Sequence, residues 1–154
     1  MELLKLATEW AKSEVFSTRF FILFAIGFLI ASVGFWQLGK TDLAKAYIIP
    51  TLVAGILLLI IGSGLNYTNI QRVKQFEKDF NTDASAFYQS EIERSESTLK
   101  EYSVVFKVIP ILIIIAALLI LFLNTTTWRA ISITTIAILI VILLVDGTAH
   151  SRIE

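Results

Sequence analysis

Asp146, His150 and the hydroxyls of Ser132, Thr134 and Thr135 are the residues nearest to chemistry in this sequence. Asp146 ends an apolar run. An acid in a lipid-spanning helix marks function most strongly near the bilayer centre. At the end of a run it can reach water or pair with Arg19, Lys107 or Arg152, so a structural ion pair is expected. A transporter would want an acid or histidine in mid-membrane, and the apolar runs hold neither. His150 is the single histidine of a chain without cysteine, and one imidazole does not make a metal site. Hydroxyls in lipid bond to their own helix or a neighbour for about 1 kcal/mol, which suits packing as well as recognition. No Ser–His–Asp or Cys–His set exists, and the acids of the one long polar stretch have no pocket to work in. Neither an enzyme nor a cofactor is expected.

The elements that must position these residues are apolar. Of 154 residues, 56% are hydrophobic and 17% charged, with a mean hydropathy of +0.76, which points to a membrane protein with a modest aqueous part. The formal net charge is zero, which argues against nucleic acid as a partner, because neutralising phosphates takes clustered excess Lys and Arg.

Residues 1–14 place Leu3, Leu6, Ala7, Trp10 and Ala11 on one helical face, the pattern of an interfacial helix lying on the membrane. Their acids dilute any basic n-region, so a signal peptide is not expected. The first span, 16–39, is centred on twenty uncharged residues from Phe20 to Gly39, long enough for a bilayer core of roughly 30 Å. Gly27, Ala31 and Gly34 share a face there. The second span, 46–67, lies in a charge-free stretch of 26 residues, with Pro50 near its start. Its Gly55 and Gly62, one heptad apart, are the expected facing positions for Gly27 and Gly34. The third, 104–124, carries the most hydrophobic run, and Pro110 marks a helix start or a mild kink. The fourth, 126–147, has only sixteen uncharged residues, Ala130 to Val145, and needs local thinning or snorkelling at its ends.

Between the two pairs of spans lies the polar stretch, 68–103. Ile70, Val73, Phe76 and Phe80 recur every three to four residues, as do Tyr88, Ile92, Leu99, Tyr102 and Phe106 once Ser95 fills the gap. Asn81 to Ser85 interrupts them with turn-forming residues, and Asp83 or Thr82 is a good N-cap. The spacing predicts a helical hairpin continuing the spans on both sides. Glu91 with Arg94 and Glu96 with Lys100 have helical pair spacing and read as a solvated face. Placing both termini and this stretch on one side puts ten of the thirteen basic residues there, against Lys40, Lys45 and Arg129 on the other. The bias predicts both termini and residues 68–103 in the cytoplasm. The expected fold is all-α: a polytopic protein of four transmembrane helices, arranged as two hairpins joined by a cytoplasmic helical hairpin.

Two stretches carry a resemblance. Asp83-Ala-Ser-Ala-Phe87-Tyr-Gln-Ser-Glu91-Ile-Glu-Arg94 resembles a D-x-x-x-F-x-x-x-E-x-x-R pattern, and Asp146-Gly-Thr-Ala149-His-Ser-Arg152 is similar to a D-x-x-A-x-x-R ending. Both occur in small four-helix bacterial inner-membrane proteins found beside genes for secreted antibacterial toxins, notably type VI secretion effectors. The resemblance implies an immunity protein that neutralises a membrane-acting toxin by helix–helix binding in the bilayer. The residues it singles out are Asp83, Phe87, Glu91, Arg94, Asp146 and Arg152, beside the glycine faces. Membrane lipid, a cognate toxin and a second copy of the chain are the expected partners. The alternatives are an accessory membrane subunit that docks a partner through its helical hairpin, and, behind it, a small transporter or channel.

Overall fold

The computed structural model describes residues 2–150; Arg152 lies outside the described residues. The described residues are almost wholly helical, with α1 at Glu2–Leu38, α2 at Asp42–Ala46, α3 at Ile48–Thr82, α4 at Ala84–Phe122 and α5 at Thr126–His150. Four helices are long and apolar enough to cross a membrane: α1, α3 together with α2, α4 and α5. Among the described residues there is no strand.

The breaks between helices have local causes. Thr41 is extended (φ −105°, ψ 155°) and its side chain accepts from the Ala44 N–H at 3.1 Å, which starts α2. Only Tyr47, itself near-helical, separates α2 from α3. Asp83 is the single residue between α3 and α4. Its extended backbone (φ −153°, ψ 98°) ends one helix, and its Oδ1 accepts from the N–H groups of Ser85 and Ala86, both at 3.0 Å, to begin the next. A cap of this kind contributes about 1 kcal/mol. Pro110 sits inside α4 and starts no helix. Its missing N–H leaves one carbonyl of the preceding turn without its usual partner, a cost that helices in lipid bear when neighbours compensate.

α1 and α3 run antiparallel in close contact. Ser32 Oγ donates to the Ile48 carbonyl at 2.8 Å near one end, and Asn66 Nδ2 donates to the Val15 carbonyl and Thr18 Oγ1, both at 3.2 Å, near the other. Gly55 and Gly62 permit this approach. A Cβ on Gly55 would lie 2.8 Å from the Leu29 side chain and 3.1 Å from the Ala25 carbonyl oxygen; one on Gly62 would lie 2.8 Å from Phe21 Cβ and 3.1 Å from the Ile22 nitrogen. The expected glycine-to-glycine register is therefore corrected. Gly55 and Gly62 meet Ala25, Leu29, Phe21 and Ile22, while Gly27 and Gly34 have nothing within 4 Å of where a Cβ would sit. The face of α1 turned to α3 is set by Phe21, Ala25 and Ser32, all buried, and it leaves the small-residue face pointing outward.

Two apolar clusters hold the helices together. Phe21, Ala25, Leu58, Val141 and Val145 join α1, α3 and α5 at the level of the spans. Ala7, Ala11, Phe76 and Phe87 join α1, α3 and α4 at the polar end. The second cluster corrects the reading of residues 1–14 as a separate interfacial helix. Residues 2–14 belong to α1 without a break, and their alanines are small enough for Phe76 and Phe87 to cover the face that lipid was expected to cover. Outside these clusters the spans bare large aliphatic side chains, with Ile30, Ile60 and Leu121 each at least 65% exposed. Such an exterior is matched to lipid tails rather than to water.

Candidate functional site

At the polar end the continued helices build a site that neither pair of spans contains alone. α3 carries Arg72 there, α4 carries Glu91 and Arg94, and α1 carries Trp10. Arg72 Nη2 donates to both carboxylate oxygens of Glu91, at 3.3 and 3.2 Å, while Nη1 donates to Asn69 Oδ1 at 3.1 Å. Arg94 Nη2 donates to Glu91 Oε2 at 3.0 Å, and its guanidinium lies 4.0 Å from the centre of the Trp10 ring. Arg72 also lies 5.3 Å from the centre of the Phe76 ring. The Glu91 side chain keeps 11% of its exposure, so this carboxylate is held between two cations largely out of water. Burial, and then the neighbouring Arg94, push the Arg72 guanidinium below its ordinary pKa, and Glu91 opposes both.

This network explains the spacing from 83 to 94. Asp83 caps α4, Phe87 is 5% exposed in the apolar cluster, Glu91 bridges the arginines and Arg94 covers the indole. The four residues descend one face of one helix, each with a different mechanical role. The expectation that these charges form a solvated face is corrected for Glu91 and Arg94. Of the expected apolar stripe, Tyr88 packs on the Phe76–Phe87 cluster and Tyr102 is buried, but between them the inward positions are Glu91, Arg94 and Thr98 rather than Ile92 and Leu99. Ile92 and Leu99 are 53% and 39% exposed. The reason is electrostatic. α3 presents Arg72 to α4, so the residue that faces it must be an acid, and apolar periodicity cannot register that.

Beside the network lies a cavity of about 370 Å³ walled by all four long helices, with Glu14, Asn69, Arg72, Arg94, Tyr102 and Asp146 among its residues. Tyr102 Oη donates to Glu14 Oε1 at 3.3 Å. Burial, and then the charges of Glu14 and Asp146, push the Tyr102 phenol well above its ordinary pKa, so it remains a donor. Asp146 shares this cavity with Glu14 and Tyr102 and pairs with no cation among the described residues. The expected ion pair is not made with Arg19 or Lys107: among the described residues the ion pairs are those of Glu91 with Arg72 and with Arg94. His150 places its ring edge-on to Tyr102 and Phe106, with centroids 5.5 Å away from each. It serves there as an aromatic surface. No three acidic or histidine side chains among the described residues converge as a metal set.

Glu14, Asn69 and Arg72 carried no site reading in the sequence, and Trp10 and Tyr102 appeared there only as members of apolar faces. Arg72 and Trp10 did carry a signal: the indole adjoins Ala11 and the cation lies one helical turn before Phe76, both positions that proved buried. The fold and site together define a helical protein with four candidate membrane spans and a charged junction at one end. Comparison with protein-family models, curated proteins and solved structures gives no match to the chain.

Proposed function

We propose that this chain is an integral inner-membrane immunity protein that neutralises a membrane-acting antibacterial toxin by helix–helix binding in the bilayer. In this reading both termini and residues 68–103 face the cytoplasm, in accord with the basic residues crowded at that end. The observation that carries it is the contrast between two glycine pairs. Gly55 and Gly62 are consumed by contact within the chain, whereas a Cβ added at Gly27 or Gly34 of α1 would meet nothing within 4 Å. Close backbone approach through small residues is the main way helices associate in lipid, and a pore-forming toxin must pack its own helices by the same means. Gly27, Ala31 and Gly34 give such a helix a seat before it finds its own kind. The junction built by Phe87, Glu91 and Arg94 holds α1 against α3 and α4 from one end.

The test is co-expression with the toxin encoded beside this protein. Protection is expected from the wild type and loss of protection from G27L/G34L, with both proteins accumulating equally in the membrane. Equal killing with and without the wild-type protein would end this reading.

An accessory membrane subunit is the second reading, favoured by the exposed Ile92 and Leu99 on α4 at the polar end. Substituting both by Glu separates the two: toxin protection survives if the α1 face carries function, and a soluble partner is lost if the α4 face does.

A further inference from the structure

A second cavity, of about 580 Å³, lies at the opposite end of the bundle from the charged junction. It is a groove between the start of α3 and α5, running from Lys45 and Thr127 at its mouth to Leu57 and Ile138 at its inner end. Apart from Lys45 its walls are aliphatic residues, Pro50 and threonines, and no acid lines it. We propose that this groove binds one acyl chain of an anionic phospholipid, whose headgroup phosphate is held by Lys45.

Three observations select that occupant. The first is length. Twelve residues separate Lys45 from Leu57, and eleven separate Thr127 from Ile138, so the groove is about 17 Å long at the helical rise. A hydrocarbon core of roughly 30 Å gives each leaflet about 15 Å, which is the reach of one lipid tail. A transmembrane helix would need a seat about twice as long. The second is width. A volume of 580 Å³ spread over that length gives a slender groove, about 35 Å² in section, along the lipid-facing side of α3 and α5. That is room for a hydrocarbon tail.

The third is charge. Lys45 is exposed and makes no ion pair with a described residue. The same end carries Lys40 and Arg129, and its connecting segments contain a single acid, Asp42. A net positive rim at an apolar mouth favours a headgroup with net negative charge over a zwitterionic one, by about fivefold for each cation near the surface. Thr127 adds a hydroxyl donor at the same mouth. The groove lies on helices other than the open face of α1, so this inference is independent of the toxin reading.

The test uses the full-length protein in a neutral detergent with dioleoylphosphatidylglycerol or dioleoylphosphatidylcholine at equal mole fraction. Retained lipid is counted by native mass spectrometry. The wild type is expected to keep one phosphatidylglycerol per chain, about fivefold more often than phosphatidylcholine. K45Q should lose the preference while still retaining lipid. Val53 lines the groove and is 48% exposed, so V53W fills the space without disturbing the core and should retain neither lipid. Equal retention of the two lipids by the wild type overturns the proposal, as does undiminished retention by V53W. A lipid-free dimer that V53W dissociates would assign the groove to a second copy of the chain and overturn it as well.

Discussion

Glu91→Ala removes the one anion between Arg72 and Arg94 and leaves both guanidiniums in place. Their Nη2 atoms lie 3.2 and 3.0 Å from the same carboxylate oxygen, so they are no more than about 6 Å apart. Like charges at about 6 Å repel by roughly 3 kcal/mol at an effective dielectric constant of 20. Some relief comes from water, because the arginine side chains retain 19% and 28% of their exposure. The favourable attractions to Glu91 are lost too, although much of their worth offsets the cost of taking three charges out of water. The expected destabilisation is about 3 kcal/mol, in the range for breaking a buried ion pair from one side. Replacing all three charges (R72M/E91M/R94M) should recover most of it, less about 1 kcal/mol for the lost stacking of Arg94 on Trp10. The assay is unfolding in mixed micelles against the fraction of denaturing detergent, followed by tryptophan fluorescence, since Trp10 lies under Arg94. A loss below about 0.5 kcal/mol for Glu91→Ala, or a triple variant no more stable than it, would refute the account of the junction.

The glycines should divide by contact rather than by sequence position. Gly62→Leu forces α1 away at Phe21 and Ile22 and should cost about 1–3 kcal/mol as overpacking, while Gly27→Leu should leave stability within about 0.5 kcal/mol. The same micelle titration reads both, and equal losses would contradict the register of α1 on α3. Reporter fusions at residue 83 and at either terminus should give the same cytoplasmic signal, with the opposite signal at residue 41; a reporter at 83 that disagrees with the termini would remove the proposed orientation.

The length and composition of the spans were legible without any coordinates, because crossing lipid demands a local property: about twenty uncharged residues in one helix. The same holds for Asp83, whose short acceptor side chain caps whatever helix follows it, and for the stripe of Val73, Phe76 and Phe80, which packs as its period suggests. The partners of those faces were decided only by tertiary structure. Ala7 and Ala11 read as a lipid-facing stripe because small apolar residues suit a headgroup layer and a helix seam alike; Phe76 and Phe87 chose the seam. Gly27 and Gly55 look equivalent in sequence, and what separates them is which face of α1 the buried Phe21 and Ala25 turn toward α3. Glu91 and Arg94 have the spacing of an ordinary surface pair, but Arg72, nineteen residues earlier than Glu91, converts them into a half-buried bridge. Periodicity records how a residue relates to its own helix. The charge and size of the neighbour that meets it come from another part of the chain, and only folding brings that part near.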